Sequence, residues 1–202
     1  MKTKPSILAA LLLVGLTSLH AAGPEQPVVL KEPAGWRFEK MSIPPGFAPD
    51  IKLAGSEEIR FAPGMFDTHS SNYFTYVMVI VADGLPDLGV PDLKDFLEKY
   101  YRGLSIAVGR GKGFSPDASQ MKAMVNPAPP DPDAKKRFTA QVIFFDSFTD
   151  GRKITLNVEA VVVPWPTSKQ TCLIMMVSPS AKSAAVWQTL RAIGGKMAKS
   201  TP

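Results

Sequence analysis

The sequence predicts an α+β fold in which helices pack on a mainly antiparallel sheet. Segments rich in β-branched and aromatic residues recur along the chain, and the strongest covers residues 73–82. The links between the later segments are short, which favours antiparallel neighbours because parallel strands need a long crossover. Apolar residues at helical spacing follow Pro91 and Ser180, which predicts two helices.

Three strands and one helix are predicted in the first half of the chain. The strands cover residues 36–43, 57–62 and 73–82, and a Pro-Gly or Asp-Gly signal ends each one. The helix begins at Asp92, a favourable N-cap residue, and ends at Gly109. Its apolar residues form one stripe: Leu93, Phe96, Leu97, Tyr100, Leu104, Ala107 and Val108.

Four strands and a second helix are predicted in the other half. The strands cover residues 120–125, 137–149, 152–163 and 171–177. The helix begins at Ser180 and ends at the pair Gly194-Gly195. The predicted element order is therefore β-β-β-α-β-β-β-β-α.

The dipeptide Asp150-Gly151 predicts a tight hairpin between the two longest strands. Asp-Gly suits a type I′ turn, whose two central residues need positive φ. A two-residue turn fixes the register, so Phe145 is expected opposite Leu156. In the same register, Val142 is expected opposite Glu159.

Two predicted strands are apolar on both faces, at residues 77–81 and 171–177. Both faces of the sheet centre must therefore be covered. We expect a helix on each side, or a helix on one side and the N-terminal arm on the other.

The N-terminus has the layout of a secretory signal peptide. Lys2 and Lys4 precede an apolar run that ends in small residues, and the run is shorter than the roughly 20 residues that span a bilayer. We expect cleavage after residue 21, export to the periplasm or the medium, and no membrane span afterwards. An arm (residues 22–34), one α+β domain (35–195) and a C-terminal tail (196–202) follow.

Composition excludes several classes of function. The 202 residues include one cysteine, so a disulfide framework and a cysteine-rich zinc site are not expected. That cysteine, Cys172, falls in an apolar strand, where a thiol without a basic neighbour is normally inert. The formal charge of +5 falls to +3 when Lys2 and Lys4 are removed, and no basic cluster indicates nucleic-acid binding.

The element order resembles that of the PsbP-like α/β/α sandwich. The residues that carry the resemblance are Trp36 and Phe47 near the start, and the run MMVSP at 175–179 leading to Trp187. It covers residues 35–193 and implies an accessory subunit, as in photosystem II extrinsic proteins, a Ran-binding nuclear import factor and several exported bacterial proteins. Separately, EEIRFAPGMFD at 57–67 resembles a segment of uncharacterised exported bacterial proteins. Neither resemblance transfers a catalytic residue.

A weak candidate binding patch comprises Asp146, Asn157, Glu159, Trp165 and His69. The predicted hairpin register places Asp146, Asn157 and Glu159 on one face of the sheet, where they would bind a ligand or form its solvated half. Trp165 lies between two prolines, and His69 lies in a polar loop. We assign no catalytic residue, cofactor or metal site from the sequence.

Two functions follow as hypotheses. The first is an exported, non-enzymatic accessory or binding domain whose partner is an envelope protein or a small ligand. The alternative is an exported hydrolase that uses the carboxylates of Asp146 and Glu159. A concave pocket that holds both carboxylates would favour the hydrolase.

Overall fold

The structure, a computed structural model, describes residues 30–31, 33–82, 85, 88–129, 134, 136–164 and 171–199. The predicted signal peptide, most of the predicted arm and the candidate residue Trp165 lie outside these ranges.

The described chain forms a seven-stranded antiparallel sheet with two helices, which confirms the predicted α+β fold class and element order. The strand order is β1-β2-β3-β7-β6-β5-β4. The elements are β1 (Arg37–Ile43), β2 (Gly55–Phe61), β3 (Tyr76–Ala82), α1 (Val90–Arg110), β4 (Ala123–Pro127), β5 (Lys136–Phe145), β6 (Lys153–Pro164), β7 (Thr171–Ser178) and α2 (Ala185–Lys199).

Both faces of the sheet centre are covered, as predicted, because β3 and β7 are buried at every position. Met78 and Ile80 of β3 pack in the cluster that contains the apolar side of α1. Val77 and Val79 point the other way and pack with α2. Side chains alternate along a strand, so one helix lies on each side of the sheet.

Helix α1 begins earlier than predicted. Its N-cap is Gly89, and Pro91 occupies the first turn, where its missing N–H is no loss. Asp92 is the third helical residue, and its carboxylate accepts a hydrogen bond of 2.9 Å from the Gly89 N–H. The N-cap assignment of Asp92 is therefore wrong, although the residue still caps the helix.

The predicted hairpin register is wrong by three residues. Phe145 pairs with Lys153, and Glu159 pairs with Thr139. The connection is a wider turn, because the Gly151 N–H donates to the Asp146 carbonyl at 2.8 Å. A shift by an odd number exchanges the faces on which residues of the two strands meet.

Helix α2 continues through the predicted stop at Gly194-Gly195 and ends at Lys199. Gly194 lies close to β7, since a Cβ at this position would be 2.8 Å from the Met176 sulfur. Close packing on the sheet therefore explains this glycine. The helix also starts at Ala185 rather than at Ser180.

The side chains of Glu58 and Arg60 hold the start of the described chain against the sheet. The Leu30 N–H donates to the Glu58 carboxylate at 2.7 Å. Arg60 donates to the carbonyls of Leu30 (3.0 Å) and Trp36 (3.1 Å). Leu30 is fully buried and joins Trp187 in the cluster on the α2 side. This part of the arm thus supplements α2 in covering that face.

Strand β4 is one edge of the sheet, and two of its three outward positions offer no free N–H. Lys122 and Ala128 bond to the neighbouring β5 strand, so the alternation of an antiparallel ladder directs Ala123, Val125 and Pro127 outwards. The Ala123 N–H donates to the Glu98 carboxylate at 3.1 Å. Pro127 has no N–H, so among the described residues Val125 has the one outward N–H of β4 that lacks a partner.

Candidate functional site

Asn157 lies on the α2 side of the sheet, where its polar groups have partners. Its amide donates to the carbonyl of Ser180 at 3.1 Å and accepts from Gln141 at 3.2 Å. These bonds tie β6 to the segment that leads into α2, so they account for this residue structurally.

Glu159 lies on the same side and forms an ion pair with Arg191 of α2. Burial acts to raise the pKa of Glu159, but the hydrogen bonds and the charge of Arg191 outweigh it. The pKa therefore lies below its ordinary value, and the carboxylate is ionised at neutral pH. A low pKa suits an ion pair better than a general acid.

Asp146 lies in the turn after β5, away from Glu159. Its carboxylate accepts from the Tyr73 hydroxyl at 2.5 Å, from the Phe148 N–H at 2.9 Å and from the Thr149 hydroxyl. Tyr73 belongs to the cluster on the α1 side. Asp146 and Glu159 therefore bond to groups on opposite sides of the sheet, and the structure does not bring them together.

His69 is exposed in the loop between β2 and β3. Its backbone N–H donates to the Asp67 carboxylate at 2.9 Å, which forms a local turn of the kind aspartate favours. Across the described ranges, no group of three or more His, Cys, Asp and Glu residues is placed to hold a metal ion.

The structure reveals a buried carboxyl group that sequence reasoning missed. Glu57 of β2 is fully buried on the α1 side, and the Tyr100 hydroxyl donates to its Oε1 at 2.7 Å. Its Oε2 has no hydrogen-bond partner in the part of the chain that the structure describes. The hydroxyls of Tyr76 and Tyr101 bond to each other nearby.

The pKa of Glu57 is raised to about 7, mainly by burial. The hydrogen bond from Tyr100 acts to lower this pKa, and the carboxylate of Glu39 acts to raise it. Burial and the neighbouring carboxylate also raise the pKa of Tyr100 well above its ordinary range. At neutral pH, a substantial fraction of Glu57 is therefore protonated.

Strand alternation predicts that Glu57 and Glu58 face opposite sides of the sheet, and they do. Glu57 meets Tyr100 of α1, whereas Glu58 meets Leu30 and lies 3.3 Å from the Lys40 ammonium group. The residues around Glu57 in the sequence do not mark it as buried. The one available signal is Tyr100, a residue with a hydroxyl in the apolar stripe of α1.

A crevice of about 260 Å³ lies between α1 and the segment that follows β1. We call residues 44–54, which join β1 to β2, the cover segment. The lining is formed by Gly46, Phe47, Gly103, Ile106, Ala107 and Arg110.

Helix and cover segment meet closely at one glycine beside this crevice. A Cβ on Gly103 would lie 2.1 Å from the Phe47 carbonyl oxygen, so only glycine fits there. The Phe47 ring packs edge-on against Tyr100, with 5.2 Å between ring centroids. One aromatic ring therefore lines the crevice and contacts the hydroxyl-bearing residue that bonds to Glu57.

The crevice suits a small apolar group with an adjacent negative charge. Its lining is mainly apolar, and the exposed guanidinium of Arg110 supplies the one charge in it. It is smaller than the pockets of about 300–1,000 Å³ that hold drug-sized ligands.

Comparison with protein-family models, with curated proteins and with solved structures finds no match to this chain. Within the described ranges, no helix is both long enough and apolar enough to cross a membrane.

Proposed function

We propose that the chain is an exported, non-enzymatic accessory domain that acts by binding an envelope protein. The binding site is the crevice between the cover segment and α1. Its occupant is the end of a partner chain, with an apolar side chain beside Ile106 and Ala107 and a terminal carboxylate on Arg110. The single observation that carries the proposal is this small apolar crevice with one cation in its lining.

Arg110 is suited to receive a carboxylate from outside. It is exposed in the last turn of α1, and it forms no ion pair with any other described residue. A guanidinium offers a planar set of donors that matches a carboxylate. Charge complementarity therefore favours an anionic group at this end of the crevice.

The placement of the other candidate residues supports binding over hydrolysis. Asp146 holds a turn on the α1 side, and Glu159 is paired with Arg191 on the α2 side. Because a carboxylate pair for hydrolysis must converge on one bond, this separation leaves no observation in favour of the alternative hydrolase.

The proposed resemblance to the PsbP-like fold is supported by the element order and by the helices that cover both faces of the sheet.

The proposed export is supported by residues 1–21. Mass spectrometry of the chain from a fractionated host tests export. We expect a mature N-terminus at Ala22 outside the cytosol, and a chain that keeps Met1 in the cytosol would contradict it.

Binding is tested with acetylated tripeptides that end in leucine, either as the free acid or as the amide. We expect the free acid to shift the NMR signals of Gly103, Ile106 and Ala107. Arg110→Gln should weaken binding about tenfold, since a charge-assisted hydrogen bond contributes about 1.5 kcal/mol.

Lys94→Gln is the matched control, because it removes one cation from the same helix but far from the crevice. It should leave the affinity unchanged. Equal binding of the acid and the amide, or equal weakening by both variants, would rule out the proposed occupant.

A further inference from the structure

We propose that Glu57 is a protonation-controlled latch that keeps the cover segment on α1 when neutral and releases it when ionised. Release would open one wall of the crevice, so the consequence for binding rests on the proposed function. The latch itself is a property of the fold and is tested without a ligand.

The geometry around Glu57 favours its neutral form. One oxygen accepts from Tyr100, and the other has no hydrogen-bond partner among the described residues. An ionised carboxylate buried without a cation is strongly unfavourable, and such groups bind a proton or reach water instead. The closed arrangement therefore favours the acid over the carboxylate.

Among the described residues, the groups that act on Glu57 supply no positive charge. Strand β1 contributes the Glu39 carboxylate, β3 contributes Tyr76, and α1 contributes Tyr100 and Tyr101. All four are acids or hydroxyls, and Glu39 acts to keep the proton on Glu57.

The nearby cations are directed elsewhere. Lys40 of β1 pairs with Glu58, which lies on the opposite side of the sheet. In the cover segment itself, Asp50 and Lys52 are exposed to solvent. Arg37 of β1 pairs with Glu39 at 2.7 Å and offsets part of the charge that Glu39 presents to Glu57. The groups that act on Glu57 directly are the acids and hydroxyls named above.

The cover segment is the part best placed to move. Its turns are closed by the Ala48 N–H on the Pro45 carbonyl (2.9 Å) and by the Ile51 N–H on the Ala48 carbonyl (3.2 Å). These bonds lie within the segment, and Ala48 and Ile51 pack in the α1-side core. Elements held by packing alone open at lower free energy than strands of a sheet.

Phe47 connects the segment to the latch, because its ring rests on Tyr100, which bonds to Glu57. An ionised Glu57 gains hydration if water reaches Tyr100, and lifting Phe47 away provides that access. Because the pKa of Glu57 is about 7 in the closed form and 4.5 for an ordinary glutamate, release increases as the pH rises between these values and levels off above pH 7.

Hydrogen–deuterium exchange of the whole mature chain from pH 5 to pH 8.5 tests the latch. Rates are corrected for the pH dependence of intrinsic exchange. We expect protection of the Ala48 and Ile51 amides to fall by up to about tenfold per pH unit as the pH rises from the ordinary glutamate pKa of 4.5 to about 7, the slope for loss of one proton, and to level off above pH 7. Amides of β3 and β7 serve as internal references and should keep their protection.

Three variants sharpen the test. Glu57→Gln imitates the neutral acid and should make protection of the cover segment independent of pH. Tyr100→Phe removes the hydrogen bond that lowers the pKa of Glu57, so the pH at which protection levels off should rise. Asp95→Asn removes an exposed acid from α1 and should leave the transition unchanged.

The proposal would be overturned if protection in the wild-type chain did not depend on pH. It would also be overturned if Glu57→Gln kept the same dependence of protection on pH. If Glu57→Gln does not fold, NMR titration of the wild-type Glu57 carboxyl decides, and a transition of the segment at a different pH contradicts the latch. Failure of the tripeptides to bind would affect only the proposed function.

Discussion

Arg191 of α2 and Glu159 of β6 form a two-pronged ion pair across the helix–sheet interface. The Arg191 Nε lies 3.0 Å from Oε2, and its Nη2 lies 2.7 Å from Oε1. The guanidinium also lies over the Trp187 ring, 5.6 Å from the centroid. Glu159 therefore helps to dock α2, which gives this candidate residue a structural role.

The coupling between Glu159 and Arg191 should be about 1 kcal/mol, because the geometry is bidentate but Arg191 is partly exposed. A double-mutant cycle with Glu159→Gln and Arg191→Gln in urea unfolding measures it. Since the folded pKa of Glu159 is lowered, the coupling is present above the ordinary glutamate pKa and is lost as the pH falls through the folded value. A coupling that persists at pH 2 would contradict this account.

Glu57→Gln should stabilise the protein in neutral and alkaline solution. The folded pKa of about 7 lies above the ordinary 4.5, so the wild-type free energy of unfolding is highest below pH 4.5 and falls as the pH rises to about 7. The total fall is about 3 kcal/mol at 1.4 kcal/mol per pKa unit. Urea unfolding at several pH values should show this slope in the wild type and its loss in the variant. Parallel curves would contradict the burial of an unpaired carboxyl.

Asp146→Ala should destabilise the protein by about 3 kcal/mol, because it removes acceptors from three donors in a buried turn. Asp150→Ala is the matched control, since Asp150 is an exposed acid of the same turn whose bonds to Arg152 are also exposed, and its loss should cost no more than about 1 kcal/mol. Chemical denaturation of both variants makes the comparison. Similar effects would mean that Asp146 does not organise the turn.

Substitution by alanine should change the stability of the protein differently at the two adjacent glycines of α2. Gly195→Ala should stabilise the helix by about 0.5–1 kcal/mol, because open space surrounds this position. Gly194→Ala gains the same propensity but must displace the Met176 sulfur, 2.8 Å from the new Cβ. It should be less stable than Gly195→Ala by about 1 kcal/mol or more. Equal melting temperatures would show that α2 does not pack this closely on β7.

Much of the fold was predictable from the sequence because its signals are local. Apolar alternation and helical spacing mark each element, and the apolar β3 and β7 strands predict cover on both faces. The hairpin register was not predictable, since the Asp-Gly signal is overridden by the Asp146 carboxylate and its long-range bond to Tyr73. That contact joins residues 73 positions apart, and no local sequence pattern predicts it.

The candidate site was less accessible to sequence reasoning. Alternation assigns Glu57 and Glu58 to different sides, but it does not say which acid lacks a cation. That depends on Lys40 reaching Glu58 and on Tyr100 reaching Glu57. The crevice likewise depends on how the cover segment meets Gly103 of the distant helix. Such features arise from tertiary contacts between segments with ordinary local sequences.

The way β4 ends the sheet limits how copies of this protein can associate. A strand from another chain that approached this flank would find the Ala123 amide already bound to Glu98 and no amide hydrogen on Pro127. The carbonyl oxygens on this flank can still accept hydrogen bonds, but among the described residues Val125 alone would donate one. This flank is therefore a weaker template for fibril growth or strand-swapped dimers than an edge that keeps all its donors would be.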